Sequence, residues 1–249
     1  MSQSTESTTE ANPFTKPGFL IAAALVVALI AAAVLIFLIP KGQGNAQPAP
    51  TEPTSPAATS PSAPTEAGKS VCGLPAGTEK SLGTAPPSKW ELVGRMATPT
   101  DPKTFGPGVT DESGFRSCFA QSPTGALYAA MNVAALGSTG SPELVSKLAD
   151  KLLMPGTGRD TAMREAAAKP TSPSATSIQV RGFLIKSYTP SESTVDLAFE
   201  TSSGALAHLT LSMRWMEGDW KVMPADDGKT YNGPSQIRDL SGFILWSGV

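Results

Sequence analysis

The sequence predicts an α+β fold in which three helices precede a curved antiparallel sheet of four strands. A single membrane-spanning helix and a disordered linker are predicted ahead of that fold. Three observations carry the prediction. Two Ser-Pro helix starts occur close together, at Ser122-Pro123 and Ser141-Pro142. Beyond residue 177 the apolar period changes from helical to two. Near the N-terminus, residues 19–39 form an apolar run with no charged or strongly polar side chain.

The apolar run extends from Phe19 to Ile39, 21 residues. At the α-helical rise that is about 31 Å, close to the roughly 30 Å hydrocarbon core of a bilayer. A cleaved signal peptide is the competing reading, with Gly44-Asn45-Ala46 as a weak small-residue cleavage site. The run is too long for a signal peptide, and the residues before it carry Glu6 and Glu10 against the single Lys16. The segment is therefore read as a permanent single-pass anchor behind a cytoplasmic tail of residues 1–18. Lys16 and Lys41 balance across it and leave orientation to the downstream composition.

Residues 40–70 hold seven Pro, eight Ser or Thr and six Ala, with four charges. Such a stretch has nothing to bury and reads as an extended linker. Cys72 and Cys118, the only cysteines, both follow it. An even pair suits one intramolecular disulfide in an oxidising compartment; two buried free thiols are the alternative. Anchor, linker and cysteine pair together favour a cell-membrane protein with an extracytoplasmic C-terminal domain.

Residues 71–121 read as an irregular, disulfide-tied lobe punctuated by glycine and proline. It has room for one strand at Trp90–Met96 and a second at Gly114–Ala120. From residue 122 to 249 the elements are regular. Ser122 caps a first helix with Leu127, Met131, Ala134 and Ala135 on one face. Ser141 caps a second, lined by Leu144, Val145, Leu148 and Leu152, and an Ala-rich third covers Asp160–Lys169. Strands follow at Ile178–Tyr188, Thr194–Thr201, Ala205–Met216 and Trp220–Met223. Turns at Pro190–Ser193, Ser202–Gly204 and Glu217–Asp219 join them. In the second strand Val195, Leu197 and Phe199 alternate with Asp196, Ala198 and Glu200. In the third, Ala207, Leu209, Leu211, Met213 and Trp215 face one side, and His208, Thr210, Ser212 and Arg214 the other.

The element order, with the hairpin Trp215-x-x-Gly218-Asp219-Trp220-Lys221-Val222, resembles the nuclear transport factor 2-like (cystatin-like) fold over about Ser122–Asp226. That resemblance implies a sheet curved into a cone around the helices. More of the chain is similar to a group of actinobacterial single-pass membrane proteins encoded near conjugation and mobile-element genes. The similar features are the anchor, the Cys72-Gly73-Leu74-Pro75 opening, Trp90–Gly94, the segment Ser117–Asn132 and the closing Gly242–Trp246. The overall plan also resembles the single-pass assembly subunits of type IV secretion and conjugation channels. This implies a non-enzymatic scaffold or assembly subunit of a cell-envelope complex. Other envelope subunits, or further copies of the chain, would be its partners.

Chemistry-bearing motifs are sparse. A net charge of −2 argues against nucleic-acid binding by bulk charge. There is no phosphate-cradling loop and no nucleophile elbow, so no cofactor, metal or catalytic residue is expected. Asp226-Asp227-Gly228 lacks the spaced ligands of a calcium loop and reads as a turn. His208 is the only histidine, and no carboxylate is fixed beside it by sequence. Two further readings stay open: a ligand- or cell-wall-binding module using the cone of the sheet, and a small enzyme using His208. At the C-terminus, Phe243, Ile244, Leu245 and Trp246 form either a segment docked on the sheet or an exposed apolar interaction surface.

Overall fold

A computed structural model describes residues 68–168, 177–231 and 233–248. The segments expected as cytoplasmic tail (1–18), membrane anchor (19–39) and nearly all of the expected linker lie outside these residues. Among the described residues no helix is long and apolar enough to cross a membrane.

The lobe before the first helix is built from two small hairpins. β1 (Lys89–Val93) pairs antiparallel with β2 (Met96–Thr100), and β3 (Val109–Thr110) with β4 (Arg116–Ser117). The single strand expected over Trp90–Met96 is thus a hairpin. Gly94 takes a φ of +61°, which reverses the chain in the middle of that run. The strand expected over Gly114–Ala120 contracts to two residues. Cys118 adopts a φ of +66° there and leaves the extended region.

Three helices follow as expected: α1 (Pro123–Ser138), α2 (Pro142–Leu152) and α3 (Thr157–Ala168). Ser122 Oγ accepts the Gly125 N–H at 2.9 Å, and Ser141 Oγ the Leu144 N–H at 3.3 Å. Both Ser-Pro signals are therefore working caps. The amphipathic reading of α1 fails: all residues from Pro123 to Val133 are buried, with Ala135 and Leu136. α1 is the central helix, and its small residues let neighbours close on it from several sides. At Gly125 an added Cβ would lie 2.0 Å from the Ala120 carbonyl oxygen. α3 starts three residues earlier than expected, after Gly156 at a φ of +139°.

The sheet has six strands, which overturns the four-stranded nuclear transport factor 2-like arrangement. β5 (Ile178–Tyr188), β6 (Glu192–Thr201), β7 (Leu206–Met216) and β8 (Asp219–Val222) form the expected antiparallel meander. β9 (Ser235–Gln236) adds to β7, and β10 (Ile244–Leu245) adds to the outer edge of β5. Two-residue strands carry no alternation, so hydrophobic periodicity is silent about both. The β7–β8 connection is a two-residue turn at Glu217 and Gly218, with φ of +55° and +77°. Positive φ at both positions matches the strand twist.

Val195, Leu197 and Phe199 of β6 and Leu211 and Met213 of β7 pack into one core with α1, α2 and Trp220. The opposite face of β6 carries Asp196, Ala198 and Glu200. Asp196 and Ala198 are buried there as well. The C-terminal chain returns over this face. Between β9 on the β7 side and β10 on the β5 edge, Phe243 lies against His208 and Gly182 of that face, and Lys186 and His208 close directly on Asp196.

Candidate functional site

The Cys72–Cys118 disulfide is formed, with Cα atoms 6.1 Å apart. It joins the tight turn Ser70–Leu74 to the end of the β3–β4 hairpin, just ahead of α1. Around it the β7–β8 turn acts as a third clamp. Asp219 Oδ2 accepts the Cys118 N–H at 2.7 Å, while Oδ1 accepts those of Phe119 at 2.8 Å and Trp220 at 2.9 Å. Trp220 Nε1 donates to the Ala120 carbonyl at 2.9 Å, and the Val71 N–H donates to the Gly218 carbonyl at 2.8 Å. The residues of the Gly-Asp-Trp hairpin motif thus tie the sheet to the disulfide lobe, as Gln179 of β5 does through the Ala97 N–H and the Arg95 carbonyl. Burial pushes the Asp219 carboxyl up to about 6, against the pull of its three N–H donors and of the Lys221 charge.

Beside this junction lies an open groove of about 350 Å³ between the disulfide lobe, α2 and the β7–β8 turn. Val71, Val109, Phe115 and Leu152 supply apolar wall, and Val71 and Val109 are exposed. Lys147, Lys151 and Lys221 line it together with Asp111, Glu217 and Asp219. The cations already have partners. Lys147 Nζ lies 2.8 Å from Asp111 and 3.1 Å from Glu143, Lys151 pairs with Asp150 at 2.7 Å, and Lys221 pairs with Glu217. The Lys147 ammonium, helped by Ser113, holds the Asp111 carboxyl well below the usual carboxylate range. The charges lining the groove are thus paired within it or with neighbouring carboxylates.

A second cluster sits on the outer sheet face. His208 Nδ1 lies 2.8 and 3.1 Å from the two Asp196 oxygens, and Lys186 Nζ is 2.7 Å from Asp196 Oδ2. Asp196 is 2% exposed. So the carboxylate that sequence could not assign to His208 comes from the neighbouring strand, two residues out of direct register, since Ala198 is opposite His208. The ring of Phe243 meets the His208 ring edge-on at 6.1 Å. It crosses the cross-strand row Gly182, Ala198 and His208, where a Cβ on Gly182 would lie 3.1 Å from the Phe243 Cβ. The small residues of that row make room for the crossing segment.

The four C-terminal residues expected as a possible interaction surface are divided by the fold. Trp246 is 6% exposed and packs against Trp90, Phe183 and Tyr128 at centroid distances of 4.7, 5.4 and 6.1 Å. Its N–H donates to the Arg181 carbonyl at 3.0 Å. Phe243 and Ile244 are half-buried, and only Leu245 is largely exposed, at 66%. As a continuous apolar surface the segment does not exist, because pairing with β5 alternates its side chains between core and solvent. Asp227 completes a turn by accepting the Lys229 N–H at 3.1 Å. Among the described residues, no three His, Cys, Asp or Glu side chains are grouped to hold a metal.

The described residues define a helix-centred α+β domain whose N-terminal lobe is closed by a disulfide and whose C-terminus straps the sheet. The chain belongs to the family described as "Domain of unknown function (DUF8175)", whose model matches residues 51–245. Comparison with curated proteins and with solved structures gives no match.

Proposed function

We propose that this chain is a membrane-anchored, extracytoplasmic scaffold or assembly subunit of a cell-envelope complex, of the kind that builds a conjugation or type IV secretion-like channel. The observation that carries the reading is the disulfide, which staples the first residues beyond the linker to the folded body. A disulfide-closed domain behind an apolar 21-residue run suits an oxidising compartment outside the membrane. Residues 19–39 serve as the anchor, the N-terminus stays cytoplasmic, and the groove with exposed Val71 and Val109 offers a surface to a neighbouring subunit. The reading does not require catalysis.

The test is cross-linking and co-purification of the full chain from its native membrane, with a C-terminal reporter that is active only outside the cytoplasm. Recovery of defined envelope subunits and an active reporter are expected. A reporter active only in the cytoplasm, or a chain that cross-links to nothing, overturns the reading.

A small enzyme using His208 is the second reading, favoured by the 2.8 Å contact between His208 Nδ1 and Asp196. A carboxylate in that position orients an imidazole and leaves Nε2 for proton transfer. Loss of a defined hydrolytic or proton-transfer activity in His208→Ala, with the fold intact, is the result this reading needs. The ligand-binding alternative has less support, because α1 side chains pack the helix-facing side of the sheet.

A further inference from the structure

The two sulfurs of the disulfide stand in unlike surroundings. Cys72 is an exposed residue, whereas Cys118 is fully buried. The Cys72 N–H donates to Cys118 Sγ at 3.1 Å, and the Ser70 hydroxyl oxygen lies 3.2 Å from the same sulfur. Ser70 Oγ accepts the Leu74 N–H at 2.7 Å. Its distance to Cys72 Sγ is longer, 3.7 Å. A fixed amide N–H thus reaches the buried sulfur.

Thiol–disulfide exchange proceeds fastest where the attacked sulfur is accessible and the departing sulfur is stabilised as a thiolate. Exposure selects Cys72 as the attacked sulfur, and the Cys72 amide works against the burial of Cys118 to favour Cys118 as the departing one. We propose that Cys72 is the electrophilic sulfur of a thiol-exchange site, attacked by an external thiolate, with Cys118 as the leaving group. The thiolate is that of a monothiol or of a protein Cys-x-x-Cys partner. Its electron pair forms the new bond to Cys72 Sγ, the Cys72–Cys118 bond breaks, and that pair departs on Cys118 Sγ. One disulfide and one thiolate are consumed and one of each is formed, so no outside oxidant is needed.

The neighbouring groups fit these roles. The Cys72 N–H and the Ser70 hydroxyl hold the departing thiolate, and Ser70 is a positioning residue. The nearby Asp219 carboxylate opposes an anion at Cys118, but it is engaged by the Cys118, Phe119 and Trp220 amides. Val71 and Val109 are exposed on either side of the bridge, next in chain to Cys72 and Gly108, and give a thiol-bearing peptide apolar surface to rest on. After exchange, the bond from the Val71 N–H to the Gly218 carbonyl still holds the opened turn to the body. The inference goes beyond the scaffold reading and does not depend on which complex the chain joins.

The experiment uses the oxidised full chain in detergent with limiting reduced glutathione, acid quenching, alkylation and peptide mass spectrometry. Glutathione is expected on Cys72 over Cys118 by at least about tenfold, with the free thiol at Cys118. Ser70→Ala should slow exchange several-fold while the unfolding rate, followed by tryptophan fluorescence, sets a separate baseline. Equal labelling of the two cysteines, preferential labelling of Cys118, or exchange no faster than global unfolding would each overturn the proposal. Failure of the scaffold reading leaves these outcomes unchanged, since none of them involves a partner subunit.

Discussion

Asp219 holds the backbone of Cys118 from 101 residues further along the chain, its Oδ2 accepting the Cys118 N–H at 2.7 Å. Cys118 sits at a φ of +66°, a conformation that an L-residue keeps only when its surroundings impose it. The disulfide restrains its side chain and the carboxylate restrains its main chain. Together they set the direction in which the chain enters α1.

Removal of that carboxylate should therefore be costly. Asp219→Ala leaves the Cys118, Phe119 and Trp220 amides without their acceptor in a buried site. A loss of about 3–5 kcal/mol is expected in urea unfolding of the full chain. A change under about 1 kcal/mol would mean that water or another acceptor takes over the three donors.

The same group should give stability an unusual slope with pH. Burial raises the folded-state value from 3.8 to about 6. Between those values the folded chain keeps a proton that the unfolded chain has released, so stability falls as the pH rises from about 4 to about 6. The full effect is on the order of 3 kcal/mol. Ion pairs and hydrogen bonds lower Asp150, Glu217, Asp227 and Asp239, and the stability those groups supply is lost only at lower pH. Urea midpoints should rise from pH 7 to about pH 4.5, and Asp219→Asn should flatten that rise. A wild-type slope of the opposite sign would show that Asp219 does not govern this range.

Adjacent residues at the C-terminus should respond very differently to truncation. Trp246→Ala removes a buried ring from three aromatic neighbours and should cost about 3–5 kcal/mol. Leu245→Ala, at a largely exposed position, should stay within about 0.5 kcal/mol. Thermal unfolding of both variants checks the pair. A tolerated Trp246→Ala would return the segment to the surface.

Helix propensity and packing make opposite predictions at Gly125. Alanine is favoured over glycine inside a helix by about 1 kcal/mol. Here its Cβ would sit 2.0 Å from the Ala120 carbonyl oxygen, so Gly125→Ala should destabilise by about 1–3 kcal/mol or more. A higher melting temperature in this variant would show that the chain before α1 can move aside.

Closing the loop between Cys72 and Cys118, which are 46 residues apart, stabilises the fold by about 4 kcal/mol on the chain-entropy estimate. Cys72→Ser and Cys118→Ser should therefore lower the melting temperature by similar amounts, and the double variant should cost little more than either. Strict additivity would indicate that the two cysteines act separately. Mass spectrometry of protein from native membranes, finding no free thiol, completes the check.

Local chemistry was enough to read the helices, the meander and the disulfide partners directly from sequence. A Ser-Pro start fixes the cap and the first dihedral within a few residues, and strand alternation repeats every second position. With only two cysteines the partners of a bridge were given, while the choice between a bridge and two buried free thiols was made by the fold. Tertiary structure decided what depends on residues far apart in the chain. Asp219 read as one residue of a turn until the fold placed its carboxylate on the Cys118 amide. His208 gained Asp196 only through the pairing of β6 with β7. The extra strands β9 and β10 are two residues each, too short to show a period, and their pairing comes from the sheet edges they meet. That same return of the chain docked Trp246 into the core, because burial is set by what packs on a face and alternation records only which face a side chain occupies.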